Sequence, residues 1–107
     1  MNLFLKWKIV RIELSLKSLL KKKGIKPMVW SFGAYYINPK HMVFVVGVSS
    51  DHEKKLLKED TKFTASMNKL LIKYNWPEQA RAHVMFDIES QETVDRETEG
   101  HWWYHYK

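Results

Sequence analysis

Cysteine is absent from this 107-residue sequence, proline and glycine are scarce at 3 and 4, and no long uncharged apolar run occurs. Without cysteine, disulfides and thiolate metal sites are excluded and nothing points to an oxidising compartment, so a cytoplasmic location is expected. The longest apolar stretches fall well short of the roughly 18 residues needed to span a bilayer. Lys6 and Lys8 interrupt the apolar start and no small-residue cleavage site follows, which argues against a signal peptide. The P-loop, the dinucleotide fingerprint, HExxH and GxSxG are all missing, so the sequence carries no enzyme signature and implies no cofactor.

What is present is a globular composition, 45% hydrophobic and 14% aromatic, which is enough apolar material for one core and one domain over residues 1–107. The net charge is +6, but it is unevenly spread. Residues 1–26 hold Lys6, Lys8, Arg11, Lys17, Lys21, Lys22, Lys23 and Lys26 against Glu13 alone. Residues 87–99 hold Asp87, Glu89, Glu92, Asp95, Glu97 and Glu99 against Arg96 alone. The chain is bipolar, basic at its start and acidic near its end.

Leu5, Ile9, Ile12, Leu16, Leu19 and Leu20 follow helical spacing, and Gly24 with Pro27 beyond it marks a stop, which predicts a first helix. Alternation of Leu3, Leu5, Trp7 and Ile9 with lysines keeps a strand open over the first half. The segments 28–37 and 42–48, joined through Asn38-Pro39, read as an antiparallel hairpin. Ser50-Asp51-His52-Glu53 matches a capping box, and Leu56, Phe63, Met67, Leu70 and Tyr74 extend one helical stripe to Trp76-Pro77. Ala82, Val84, Phe86 and Ile88 alternate with His83, Met85, Asp87 and Glu89, predicting a strand buried on one face. Residues 90–100 are polar, a short helix or loop, and 101–106 read as a last aromatic strand with Trp102 and Tyr104 inward. The predicted class is α+β: a two-layer sandwich, an antiparallel sheet of about four strands with helices on one face, in the order α-β-β-α-β-β.

In that arrangement the uncovered sheet face carries Tyr35, His41, His83, Asp87 and Glu89, bordered by the acidic 87–99 segment. Aromatic rings, imidazoles and carboxylates with a charged rim have the chemistry of a protein-binding surface for a basic partner. The same pattern also describes an ordinary solvated sheet face. The expected partner-binding residues are Tyr35, His83, Asp87, Glu89, Glu92, Asp95, Glu97 and Trp103. Residues four apart on a strand are about 13 Å apart, so His83 cannot pair with Asp87 for acid–base chemistry without a cross-strand partner, and His101 with His105 could share a metal only on a helix. The basic start suggests two other partners, nucleic acid through Lys17, Lys21, Lys22 and Lys23, or an anionic membrane surface. A lysine cluster at a helix C-terminus is also what the helix dipole favours.

The stretch Glu89-Ser90-Gln91-Glu92-Thr93-Val94-Asp95-Arg96-Glu97, followed by Gly100 and Trp102-Trp103-Tyr104, resembles the tail of small bacterial proteins of unassigned function. In size, lack of cysteine, α+β pattern and acidic patch the chain resembles immunity proteins of contact-dependent inhibition and other polymorphic toxin systems. The resemblance implies stoichiometric, high-affinity neutralisation of a toxin domain, often a nuclease. The chain departs from the acidic balance usual in inhibitors of basic nucleases, so a basic toxin would have to meet the local acidic segment.

Overall fold

The computed structural model describes residues 3–106. Helix α1 runs Leu3–Lys22 and buries Leu5, Ile9, Ile12, Leu16 and Leu20, the stripe its spacing predicts, so the helical reading of the first segment replaces the strand. It ends in a Schellman motif: the Ile25 amide donates to the Leu20 carbonyl and the Gly24 amide to the Lys21 carbonyl, both at 3.0 Å, with Gly24 at φ +73°. Strands β1 (Met28–Phe32) and β2 (Val43–Val48) pair antiparallel, with Trp30 opposite Val45, as the hairpin pattern predicts. Residues 33–42 form the connection, and within it Pro39–His41 is a short 3₁₀ turn capped by the Asn38 side chain.

The long helical stripe after β2 is two helices, α2 (Asp51–Glu59) and α3 (Thr61–Lys73). Ser50 caps α2 through the Glu53 amide at 3.1 Å, as the capping box indicates. Asp60 ends α2 in an extended conformation and caps α3 through the Phe63 amide at 3.0 Å, so one aspartate both breaks the stripe and restarts it. The chain then passes through a 3₁₀ segment, Glu78–His83, into β3 (Met85–Ser90). Helices joining two neighbouring strands return the chain to its starting end, so β3 lies parallel to β2, with Val45 beside Asp87 and Gly47 beside Glu89. Among the described residues the sheet order is β1-β2-β3, three mixed strands where about four antiparallel ones are expected.

The missing strand is helical. Ser90 caps α4 (Gln91–Thr98) through the Thr93 amide, Glu99 at φ +56° turns the chain, and α5 (Trp102–His105) follows. As a strand, residues 101–106 would offer alternate rings to one side. As a helical turn they bring Trp102, His105 and Tyr106, spaced three and four apart, onto the sheet together. Helices therefore lie on both faces of the sheet. One face carries Val29, Phe44, Val46, Val48 and Ile88 and joins α1 and α3 in the main core. Trp76 in that core has no exposed surface, meets Phe44 edge-on at 6.3 Å and ties the β1–β2 connection down through Nε1 to the Pro39 carbonyl at 3.3 Å.

Two glycines separate conformational from steric cost. Gly33 sits at φ +125°, and a Cβ there would lie 2.1 Å from the His41 carbonyl oxygen, whereas the αL Gly24 has open space around it. Gly33→Ala is expected to destabilise the fold by more than 2 kcal/mol, roughly the sum of backbone strain and displacement of a neighbouring chain. Gly24→Ala should cost about 1 kcal/mol. Urea unfolding of the two variants checks the order.

Candidate functional site

The second face of the sheet presents Trp30 and Phe32 from β1, Val45 from β2, and Asp87 and Glu89 from β3. The alternation of β3 is as predicted, with Ile88 in the main core and Asp87 and Glu89 on the opposite side. That side is not open, which corrects the expectation of a wetted sheet face. Trp102 packs edge-on against Trp30 at 4.6 Å, Tyr106 leans on Phe32 at 5.4 Å, and the Tyr106 hydroxyl donates to Asp87 at 2.7 Å. Trp102 Nε1 in turn donates to Gln91 Oε1 at 2.7 Å and fixes α5 to the start of α4.

Glu89 is the centre of this cover, at 7% exposure. Its Oε1 takes the Lys54 ammonium at 2.6 Å and its own neighbour's amide, Ser90, at 2.9 Å, and its Oε2 meets His105 Nε2 at 2.8 Å. Burial by itself would raise the carboxyl's pKa, but Lys54, the Ser90 amide and His105 outweigh it and hold the group below its ordinary value. The other nitrogen of His105 faces Glu97 at 3.3 Å, so one imidazole links β3 to α4. Burial, followed by the bond to Asp87, drives the Tyr106 phenol upward.

A second polar knot joins α2 to α4. Asp51 accepts hydrogen bonds from the Ser90 hydroxyl, from the Thr93 hydroxyl at 2.6 Å and from Arg96 at 3.0 Å, and these hold its carboxyl well below the usual carboxylate range. The Asp51 amide donates to Glu92 Oε1 at 2.7 Å. Among the described residues no buried side-chain nitrogen or oxygen lacks a hydrogen-bond partner.

What remains accessible is a cleft of about 400 Å³ lined by Trp30, Phe32, Trp102, Trp103 and Tyr106, at the edge of the sheet beside α5. Trp103 is 65% exposed at its rim, and Asp95 and Glu97 are exposed on the adjoining α4, with Glu92 exposed at its first turn and Glu99 just past its end. The structure thus draws the expected set apart. Glu92, Asp95, Glu97 and Trp103 share the α4–α5 unit, Asp87 and Glu89 lie beneath it, and Tyr35 and His83 lie elsewhere. Tyr35 is in the β1–β2 connection, half-buried against the core, and His83 closes the 3₁₀ segment near Asn38 and Lys40, so neither belongs to a strand, and His41 is also in a turn.

Of the two rings expected inward from residues 101–106, Trp102 packs on Trp30, whereas Tyr104 is exposed. Trp30 and Phe32 are two apart on β1 and Trp102 and Tyr106 four apart on the helical turn, so spacing signals each pair, but no local spacing relates Lys54 to His105 across Glu89. His101 and His105 are also four apart on a helical turn, but both nitrogens of His105 are taken by carboxylates and His101 packs on Tyr104 at 5.8 Å. No group of three or more histidine or acidic side chains among the described residues could hold a metal ion. Of the bases expected for nucleic acid, Lys21 and Lys22 are exposed, Lys17 is partly so, and Lys23 is paired with Asp60 at 2.6 Å. No helix among the described residues is long and apolar enough to cross a membrane.

The clasp has a pH signature. A carboxyl depressed in the folded state contributes stability above its unfolded pKa and loses it as pH falls through the folded value. Stability should therefore drop below about pH 4, where Glu89 and Asp51 begin to protonate in the unfolded chain. Glu89→Gln should flatten that drop. Lys54→Met, which leaves Glu89 buried with one fewer partner, should cost about 2 kcal/mol at neutral pH. Urea midpoints measured across pH read both effects.

Comparison with protein-family models, with curated proteins and with solved structures finds no match for this chain.

Proposed function

We propose that the chain is a non-catalytic binding protein, an immunity-type inhibitor that captures a basic toxin domain with its α4–α5 unit. One observation carries the reading: an aromatic cleft of about 400 Å³ adjoins a helix whose exposed side chains include Glu92, Asp95 and Glu97. Aromatic anchors in a pocket with charge around them are the usual makings of a tight interface. The α4–α5 unit is held to the sheet by the Glu89 clasp and the Trp30–Trp102 contact, so the surface is organised before a partner arrives. The proposed contact set is Phe32 and Trp103 as anchors with Glu92, Asp95 and Glu97 as the charged border. Asp87 and Glu89 act beneath the surface by fixing α5.

Charge complementarity works mainly through the encounter rate. With a basic toxin domain as the partner, Asp95→Lys should slow association roughly 10-fold at low salt and leave dissociation nearly unchanged. Trp103→Ala should instead speed dissociation, by about 30-fold if it is an interface anchor. Stopped-flow association and growth protection in cells expressing the toxin are the measurements. Absence of both complex and protection overturns the proposal.

A further inference from the structure

Helix α1 is apolar on two opposite sides. Its inner stripe fills the core, while Phe4, Trp7, Val10 and Leu14 are 81%, 57%, 49% and 55% exposed on the other. Spacings of three and four residues place Trp7, Val10 and Leu14, with Phe4, on one outward stripe. Neighbouring elements fix which way it points. On one flank Lys8 Nζ donates to the Asn75 carbonyl at 2.7 Å and Ser15 bonds the Tyr74 hydroxyl at 2.8 Å. On the other flank Glu13 accepts from the Ser31 hydroxyl. The stripe lies between these flanks and faces away from the protein.

Cations surround it. Lys6, Lys21 and Lys22 are exposed, Lys17 is partly exposed, and the exposed Arg11 lies over the Trp7 ring at 4.4 Å. Glu13, the lone acid of residues 1–26, is drawn off to β1. An apolar stripe with aromatic residues, framed by bases on a helix about 30 Å long, matches a helix that lies in the plane of a membrane interface. Nucleic acid would pair with the bases and leave Phe4, Trp7, Val10 and Leu14 wet. An anionic bilayer takes up both, the rings among acyl chains and the bases against phosphates.

We propose that α1 docks this protein on an anionic lipid surface through Phe4, Trp7, Val10 and Leu14, with Lys6, Arg11, Lys17, Lys21 and Lys22 supplying the charge attraction. The site is separate from the α4–α5 unit and leaves that unit accessible to a protein partner.

Co-sedimentation of the full chain with vesicles tests it, using phosphatidylcholine alone and phosphatidylcholine mixed with phosphatidylserine. The chain should pellet with the mixed vesicles, bind the neutral ones far less, and be released by salt as the Debye length shrinks from about 10 Å at 0.1 M. Trp7→Ser/Leu14→Ser should lower partitioning at least 10-fold, as loss of two inserted side chains requires. Lys21→Glu/Lys22→Glu should lower it about 10-fold by a route that leaves the apolar stripe intact. All four positions are on the outer surface, so far-ultraviolet circular dichroism should be unchanged. Failure to pellet with the mixed vesicles overturns the proposal. So does a gel shift with duplex DNA that survives Trp7→Ser/Leu14→Ser while lipid binding is absent, or a concentration-dependent dimer that those substitutions abolish.

Discussion

Glu89 is a carboxylate inside the protein, and the way α2 and α5 meet β3 turns on how that charge is accommodated. A buried charge is tolerated only when it is paired and fully hydrogen-bonded. Lys54 reaches it from α2 and His105 from α5, and the amide of its own neighbour Ser90 completes the set, so two separate segments converge on the end of β3. The rings of Trp102 and Tyr106 on Trp30 and Phe32 supply the apolar contact that charge pairing alone would not. Release of any one partner would leave the others around an unsatisfied group.

This clasp explains why helices occupy both faces of a small sheet. The main core takes its helical side from α1 and α3 with Leu57 of α2, and Trp76, Ala80 and Val84 complete it. The second face gains its cover from α4 and α5. Directed bonds hold that cover: Trp102 to Gln91, Tyr106 to Asp87, His105 to Glu89 and Glu97. The acids of residues 87–99 consequently divide in two. Asp87 and Glu89 lie under α5, while Glu92, Asp95 and Glu97 lie on the outer helix with their side chains exposed, Glu92 also holding the Asp51 amide and Glu97 facing His105.

Much of this was legible in residue spacing, and the failures have specific causes. The α1 stripe, the hairpin, the Ser50 cap and the alternation of β3 were readable because each buries its apolar phase against the main core, the one surface periodicity reports on. Asp60 hid the α2–α3 break because Leu56 falls in helical phase with Phe63, although Leu56 is exposed and it is Leu57 that α2 buries. The parallel setting of β3 depends on the path of the two helices before it, which no local pattern records. The aromatic segment 101–106 has strand composition yet folds as a turn of helix, because only helical spacing brings Trp102, His105 and Tyr106 together over a face bearing Trp30 and Glu89. Of the candidate site, Glu92, Asp95, Glu97 and Trp103 were found by charge and ring content, and the cleft behind them was not.

The central claim is that the second face of the sheet is closed by α5. Nuclear Overhauser spectroscopy on the labelled chain tests it without any substitution. The structure requires cross-peaks between the Trp30 and Trp102 rings, whose centroids are 4.6 Å apart, and between Phe32 and Tyr106, together with helical amide contacts through residues 102–105. Extended-chain contacts through 101–106, with no cross-peak from Trp102 to Trp30, would contradict it.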